Sequence, residues 1–219
     1  YKKKEGPDLI NSPRVRLMLE IVDKLDLKGK NILDFGCFDG TFLSRIKNRN
    51  NHFYGIDASD YAVKEARKKN IKVKQFFFDD KAKIPFENKF FDMIVAGEII
   101  EHIYDTDYFL QELKRILKPC GYLLISTPNV ASLGRRLWLL LGRNPIIELS
   151  PNEKDSVGHI RYFTFKTLEG LLGKHGLKIS QARSDVLNLS GDGKLKSLLI
   201  PKIFPNLGQS IICLCQKHS

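Results

Sequence analysis

The sequence is short of the residues that point to metal or disulfide chemistry. Only four cysteines occur in 219 residues, at positions 37, 120, 213 and 215. None belongs to a Cys-x-x-Cys pair and none has a neighbouring histidine. That excludes the usual zinc spacings and predicts free, mostly buried thiols in a reducing compartment, with no metal ion bound. Long apolar runs are missing too. Leu137 to Leu141, the longest run in the most suspicious region, falls far below the roughly 18 residues a membrane span needs. No apolar segment follows the basic opening YKKKEGPDLINSP, so no secretory signal is expected and the expected location is the cytoplasm. Internal repeats and low-complexity tracts are also absent.

What is present is the composition of an ordinary globular protein, 42% apolar and 28% charged. The length suits one domain over 1–219. The expected parts are an N-terminal helix in 1–29, a core in 30–129, a cap or substrate insertion in 130–160, and a C-terminal helix with a strand hairpin in 161–219. The formal charge is +11, with basic residues spread along the chain and densest at KEARKKNIKVK, residues 64–74. Such an excess can attract nucleic acid or anionic lipid, but its even spread reads first as a solvated, lysine-rich surface.

Short apolar runs near 31–35, 52–57, 71–76, 90–96 and 121–127 predict strands, and amphipathic segments near 40–48, 60–69 and 105–117 predict helices between them. Ser12-Pro13 predicts a helix start, a capping hydroxyl with proline at the first helical position. In the segment near 105–117, Phe109, Leu110, Leu113, Ile116 and Leu117 line one face, Asp105 or Thr106 caps it, and Pro119 and Gly121 end it. Strands and helices alternating at this pitch indicate a parallel sheet covered on both sides. The rhythm breaks after Pro128-Asn129. A helix near 164–175 and a strand near 177–184 follow, then an irregular, non-helical stretch and a last strand IICLCQ, which suggests an antiparallel hairpin at the sheet edge.

Ligands of open α/β sheets bind beyond the carboxyl ends of the strands. Those ends carry Asp34, Gly36, Cys37, Phe38 and Gly40; Asp57, Ala58 and Ser59; Asp79 and Asp80; Ala96, Gly97 and Glu98, followed by Glu101-His102; and Asn129. The stretch NILDFGCFDGTFL keeps a tight turn at Gly36 and a close helix contact at Gly40. Phe38 and Thr41 stand where a dinucleotide fingerprint needs glycines, and no Walker-type Gly-Lys-Ser follows, so a pyrophosphate is disfavoured. Asp57 is spaced to take a ribose. An acidic crevice in a basic protein suits a cationic nucleoside: S-adenosylmethionine, with its sulfonium, ammonium and adenosine.

ILDFGCFDG, YGIDAS, DDKAKIPFENKFFDMIVAGEIIEHI, LKRILKPCGYLLISTPN and GHIRYFTFKTLEGLLGKHGLKI, in this order, resemble the motifs of the class I S-adenosylmethionine-dependent methyltransferases. The likeness is greatest to the small-molecule branch that includes the ubiquinone-biosynthesis O-methyltransferases, and it covers about residues 12–217. It implies a Rossmann-like, doubly wound α/β fold with a seven-stranded, mostly parallel sheet, an antiparallel C-terminal hairpin and a small cap insertion. It also implies in-line methyl transfer to a small-molecule or lipid-linked acceptor, with S-adenosylhomocysteine as product. Gly36 and its neighbours would face the methionine end, Asp57 the ribose and Asp80 the adenine, while Ala96 to Glu98 would pass near the sulfonium. His159 and His102 are the candidate bases, each with an ordinary loop or helix-start histidine as the rival reading. Asn129, Trp138, Arg161 and Tyr162 are candidate acceptor contacts. SLGRRLWLLLGR reads as a lid whose apolar face covers the site, or as a peripheral membrane contact through 131–143. Two other functions stay open: a methyltransferase acting on transfer RNA or another nucleic acid, and a module that binds the cofactor without turnover.

Overall fold

The computed structural model describes residues 12–47, 49–79, 81–145, 147–148, 158–189 and 195–217. Five strands run parallel: β1 (Asn31–Phe35), β2 (His52–Asp57), β3 (Lys72–Gln75), β4 (Phe91–Gly97) and β5 (Leu117–Pro128). β6 (Leu177–Arg183) and the last strand, β9 (Ser210–Lys217), complete a seven-stranded sheet in the order β3-β2-β1-β4-β5-β9-β6. β9 is antiparallel to both β5 and β6. The expected terminal hairpin therefore exists, with its second strand seated inside the sheet.

Both faces of this sheet are covered, so its strands read as nearly continuous apolar runs rather than alternating ones. α1 (Pro13–Lys24), α2 (Thr41–Arg45) and α3 (Asp60–Arg67) pack Met18, Ile21, Leu43 and Val63 onto Ile32, Met93, Val95 and Leu124. The opposite face takes α4 (Thr106–Ile116) and α6 (Phe165–Lys174), whose Phe109, Leu110, Leu113, Ile116, Leu168 and Leu172 cover Leu33, Phe35, Ile94 and Ile125. α4 forms where its apolar stripe repeats at helical spacing. Asp105 caps it by accepting from the Tyr108 N–H at 2.9 Å. Thr164 and Thr167 form a reciprocal capping box at the start of α6. Pro13 does open α1, but the Ser12 hydroxyl makes no capping bond.

Several expectations need correction. α2 is shorter than 40–48, because Ile46 already has extended backbone. The connection between β6 and β9 is not free of helix: it holds a ribbon, β7 (Leu187–Asn188) and β8 (Lys196–Ser197), then one short helix, α7 (Ile200–Ile203), and a 3-10 turn at Pro205–Leu207. SLGRRLWLLLGR does form a helix, α5 (Leu133–Leu140), but Leu137, Leu140 and Leu141 are exposed to solvent instead of folding over a site. All four cysteines are free, and Cys120 is exposed while the other three are buried.

Candidate functional site

β1 ends in a turn that only a special backbone can make. Gly36, Phe38 and Gly40 all have positive φ, at 78°, 45° and 75°. A Cβ on Gly36 would collide with the Ile99 side chain, and one on Gly40 with Ile71 and Ala66, so both positions demand glycine. Phe38 is a bulky residue in left-handed backbone, which costs about 1–2 kcal/mol. Asp57, at the end of β2, offsets that cost. Its Oδ2 accepts from the Phe38 N–H and its Oδ1 from the Ser59 N–H, each at 2.9 Å. The N–H groups of Gly36 and Cys37 both donate to the Ile56 carbonyl, at 2.8 and 3.1 Å. Neighbouring strand ends are thus locked together, and Asp57 faces the turn rather than open solvent.

Beneath the turn lies a cavity of about 120 Å³ whose lining includes Arg14, Met18, Asp34, Gly36, Phe38 and Gly97. Asp34 is buried, and burial, reinforced by the nearby charge of Asp57, pushes its carboxyl up to about 7. Arg14 escaped the sequence reading, which looked only at residues following strands. It comes from the first turn of α1, one helical turn before Met18, and its guanidinium pairs with the Glu98 carboxylate at 2.5 Å. Glu98 also accepts from the Ser126 hydroxyl at 3.3 Å. Ala96 is fully buried in the core and does not line the cavity, whereas its neighbours Val95 and Gly97 do. Ala58 uses its carbonyl to accept from Gln75, and the Ser59 hydroxyl caps α3. Asp79 closes a local turn by accepting from the Lys81 N–H. Asp80 lies outside the described residues.

A second group gathers past the end of β4. Glu101, in the 3-10 turn Ile100–His102, is fully buried. Its Oε2 accepts from the Thr127 hydroxyl at 3.0 Å, while Oε1 has no hydrogen-bond partner. His159 lies alongside, with Nε2 3.9 Å from Glu101 Oε1 and Nδ1 3.2 Å from Glu148 Oε1. The His102 and His159 rings are 4.9 Å apart, and His102 Nδ1 sits 3.0 Å from the Gly158 carbonyl. The N–H groups of Ile160 and Arg161 donate to the Glu101 carbonyl and pin this segment to the sheet. Burial, aided by the charge of His102, lowers the His159 pKa against the opposing pull of Glu148. Burial raises that of Glu101. Ligand atoms of Glu101, His102 and His159 lie within 4.8 Å of one another, a set able to hold a cation although the cysteine-poor sequence suggested none. Glu148 was missed because nothing in its local pattern marks a loop acid 11 residues before a histidine as its partner.

The expected acceptor contacts fare differently. Asn129 is buried and its amide bonds only to backbone, at Asn206, Gly208 and Ala131, as a strut does. Arg161 lies over the Tyr104 ring and donates to the Tyr104 carbonyl at 2.6 Å. The Tyr162 hydroxyl accepts from the Glu148 N–H at 2.7 Å, beside His159. Trp138 is half-buried on α5.

A family model described as a methyltransferase domain matches residues 11–182. The chain belongs to that family. It carries a methyltransferase domain of the class I, S-adenosylmethionine-dependent kind. The human mitochondrial ubiquinone biosynthesis O-methyltransferase is 29% identical over 162 residues, 70% of this chain and 42% of the relative. A fatty-acid O-methyltransferase of Mycolicibacterium smegmatis is 31% identical over 122 residues, 53% of this chain and 44% of the relative. The chain thus spans about half the length of the curated relatives it matches. An S-adenosylmethionine-dependent methyltransferase structure from Methanosarcina mazei superposes with a TM-score of 0.66 at 19% identity, covering 90% of this chain and 97% of the other, a likeness of fold alone. The cavity lining is chemically compatible with such a cofactor: it offers the carboxylates of Asp34 and Asp39 to cationic and hydroxyl groups and the guanidiniums of Arg14 and Arg45 to a carboxylate, and it contains no lysine.

Proposed function

We propose that the chain methylates an oxygen of a small, hydrophobic or lipid-linked acceptor, with His159 as general base. The observation that carries this reading is the His159 imidazole held between two carboxylates at the lip of the sheet, beside the partnerless Oε1 of Glu101. Two relatives, one named for ubiquinone biosynthesis and one for fatty acids, are O-methyltransferases, which supports an oxygen acceptor.

When bound, S-adenosylmethionine supplies an electrophilic methyl group on a sulfonium. Asp57 would hold the ribose hydroxyls and Arg14, released from Glu98, the terminal carboxylate. Asp34 would face the cationic end. The Glu148 carboxylate accepts the Nδ1 proton and so fixes the tautomer that leaves the Nε2 lone pair free. Because burial lowers its pKa, His159 is neutral near pH 7 and can take the acceptor's hydroxyl proton at Nε2 as the oxygen attacks. Arg161, held over the Tyr104 ring, would form the outer wall on this side. Alignment of the two reactants can supply roughly 7–11 kcal/mol of the barrier.

The test is transfer of a labelled methyl group to phenolic and carboxylic lipids, with transfer RNA in parallel. His159→Ala should lower kcat about 10²–10⁴-fold while cofactor affinity stays within about twofold. Labelling of transfer RNA alone, or an unchanged kcat in the variant, would overturn the proposal.

A further inference from the structure

The excursion between β5 and α6 and the one between β6 and β9 meet on the surface. α5 lies with its backbone on β7: a Cβ at Gly134 would strike the Asn188 carbonyl oxygen. Arg136 on the same helix donates to the Ala131 carbonyl at 2.5 Å and to the Asn206 carbonyl at 3.4 Å, beside the 3-10 turn that follows α7. β7 pairs with β8 through Leu187–Ser197 and Asn188–Lys196, and β8 leads directly into α7. Three separate pieces of chain therefore meet here.

That surface is apolar in a way a water-facing surface seldom is. Leu139, Leu140, Leu141, Leu199, Ile203 and Phe204 are each between 56% and 80% exposed. Large exposed apolar patches on soluble proteins mark contact sites. Its charges are of one sign. Arg136, Arg143, Lys196 and Lys202 are exposed along it. Among the described residues of 131–148 and 195–209, Glu148 is the sole acid, and its carboxylate turns inward to His159. An apolar centre rimmed only by cations repels a second copy of itself across a two-fold axis, because like charges would face one another. It matches the interface of a bilayer with anionic headgroups.

We propose that α5, the β7–β8 ribbon and α7 together form a docking surface for an anionic lipid membrane, with the leucines below the headgroups and the four cations among them. α5 alone, the segment that sequence periodicity singles out, supplies only half of it. The other half comes from residues 195–204, which carry no helical stripe of their own. The same excursion that holds α5 also carries Glu148, so docking sets the lip of the acceptor site near the lipid.

Flotation of the 219-residue chain with phosphatidylcholine vesicles, with and without phosphatidylglycerol, tests this independently of any acceptor. Binding is expected only to the phosphatidylglycerol vesicles, and to weaken as salt rises. Arg143→Ala and Lys202→Ala should each weaken it about fivefold. Leu140→Glu with Ile203→Glu should abolish it while leaving S-adenosylhomocysteine affinity unchanged, since both side chains lie in solvent. Failure to float with either vesicle would overturn the proposal. So would full binding by the double variant, or a dimer in solution that the double variant dissociates.

Discussion

Asp34 sets up a measurable conflict between stability and pH. Its carboxyl is pushed from an ordinary 3.8 up to about 7 by burial and then by the charge of Asp57. Folding therefore takes up a proton at this group between those two values, and the unfolded chain binds fewer protons there than the native one. Stability from this group is full below about pH 4 and falls as pH rises toward 7. Each pKa unit is worth about 1.4 kcal/mol, so the whole effect is about 4 kcal/mol. About two of those three units lie between pH 5 and pH 7, which leaves about 2–3 kcal/mol for an experiment across that range. Asp34→Asn keeps the volume and removes the charge. Urea unfolding of both proteins at pH 5 and pH 8 should show the variant gaining about 2–3 kcal/mol relative to wild type at the higher pH. Asp57→Asn should shrink the wild-type dependence by removing the second cause. A stability difference that is equal at both pH values, or that runs the other way, would refute the reasoning. Asp34→Asn should also bind S-adenosylmethionine more weakly even as it becomes more stable, the usual opposition between a strained site and its fold.

Further outcomes are expected elsewhere. Asp57→Ala loses the two bonds that hold Phe38 and Ser59, so calorimetric titration with S-adenosylhomocysteine should show at least a tenfold loss of affinity, and thermal unfolding a fall of several degrees. The activity of the wild type should fade on the acid side at a pH below that of an ordinary histidine, because burial depresses His159; a pH–rate profile on any productive acceptor checks this. Leu113→Ala, in the fully packed stripe of α4, should cost about 2–5 kcal/mol in urea unfolding without altering cofactor affinity.

The parallel sheet and its flanking helices were legible because their signals are local. α4 has an apolar residue at nearly every inward position, a carboxylate cap and a proline beyond it. β1 ends in glycines that its own backbone angles require. Asp34, which lines the cavity, was legible through one topological rule, that sites follow strands. Arg14 broke that rule by arriving from a helix that precedes the first strand. Glu148, and the bond its N–H gives to Tyr162, became visible only when Ile160 and Arg161 were tied to Glu101 by backbone bonds 59 and 60 positions apart in sequence, a contact that no periodicity encodes. Asn129 misled for the opposite reason. It follows a strand as a binding residue would, but its amide is consumed in holding backbone together. The ribbon and α7 are too short for any periodic pattern and exist because neighbouring elements hold them.

The position of β9 has a consequence for how the protein is made. Ser210–Lys217 is sandwiched between β5 and β6, with every residue from Ser210 to Cys215 buried. On the ribosome, β5 and β6 are synthesised without the wedge that joins them, and the half-built molecule must wait with an unzipped seam of backbone groups. Closure comes only when the last strand clears the exit tunnel. A nascent chain arrested before residue 210 would thus display two adhesive edges at once, and would be a natural client for a chaperone that caps β-structure until translation passes that point.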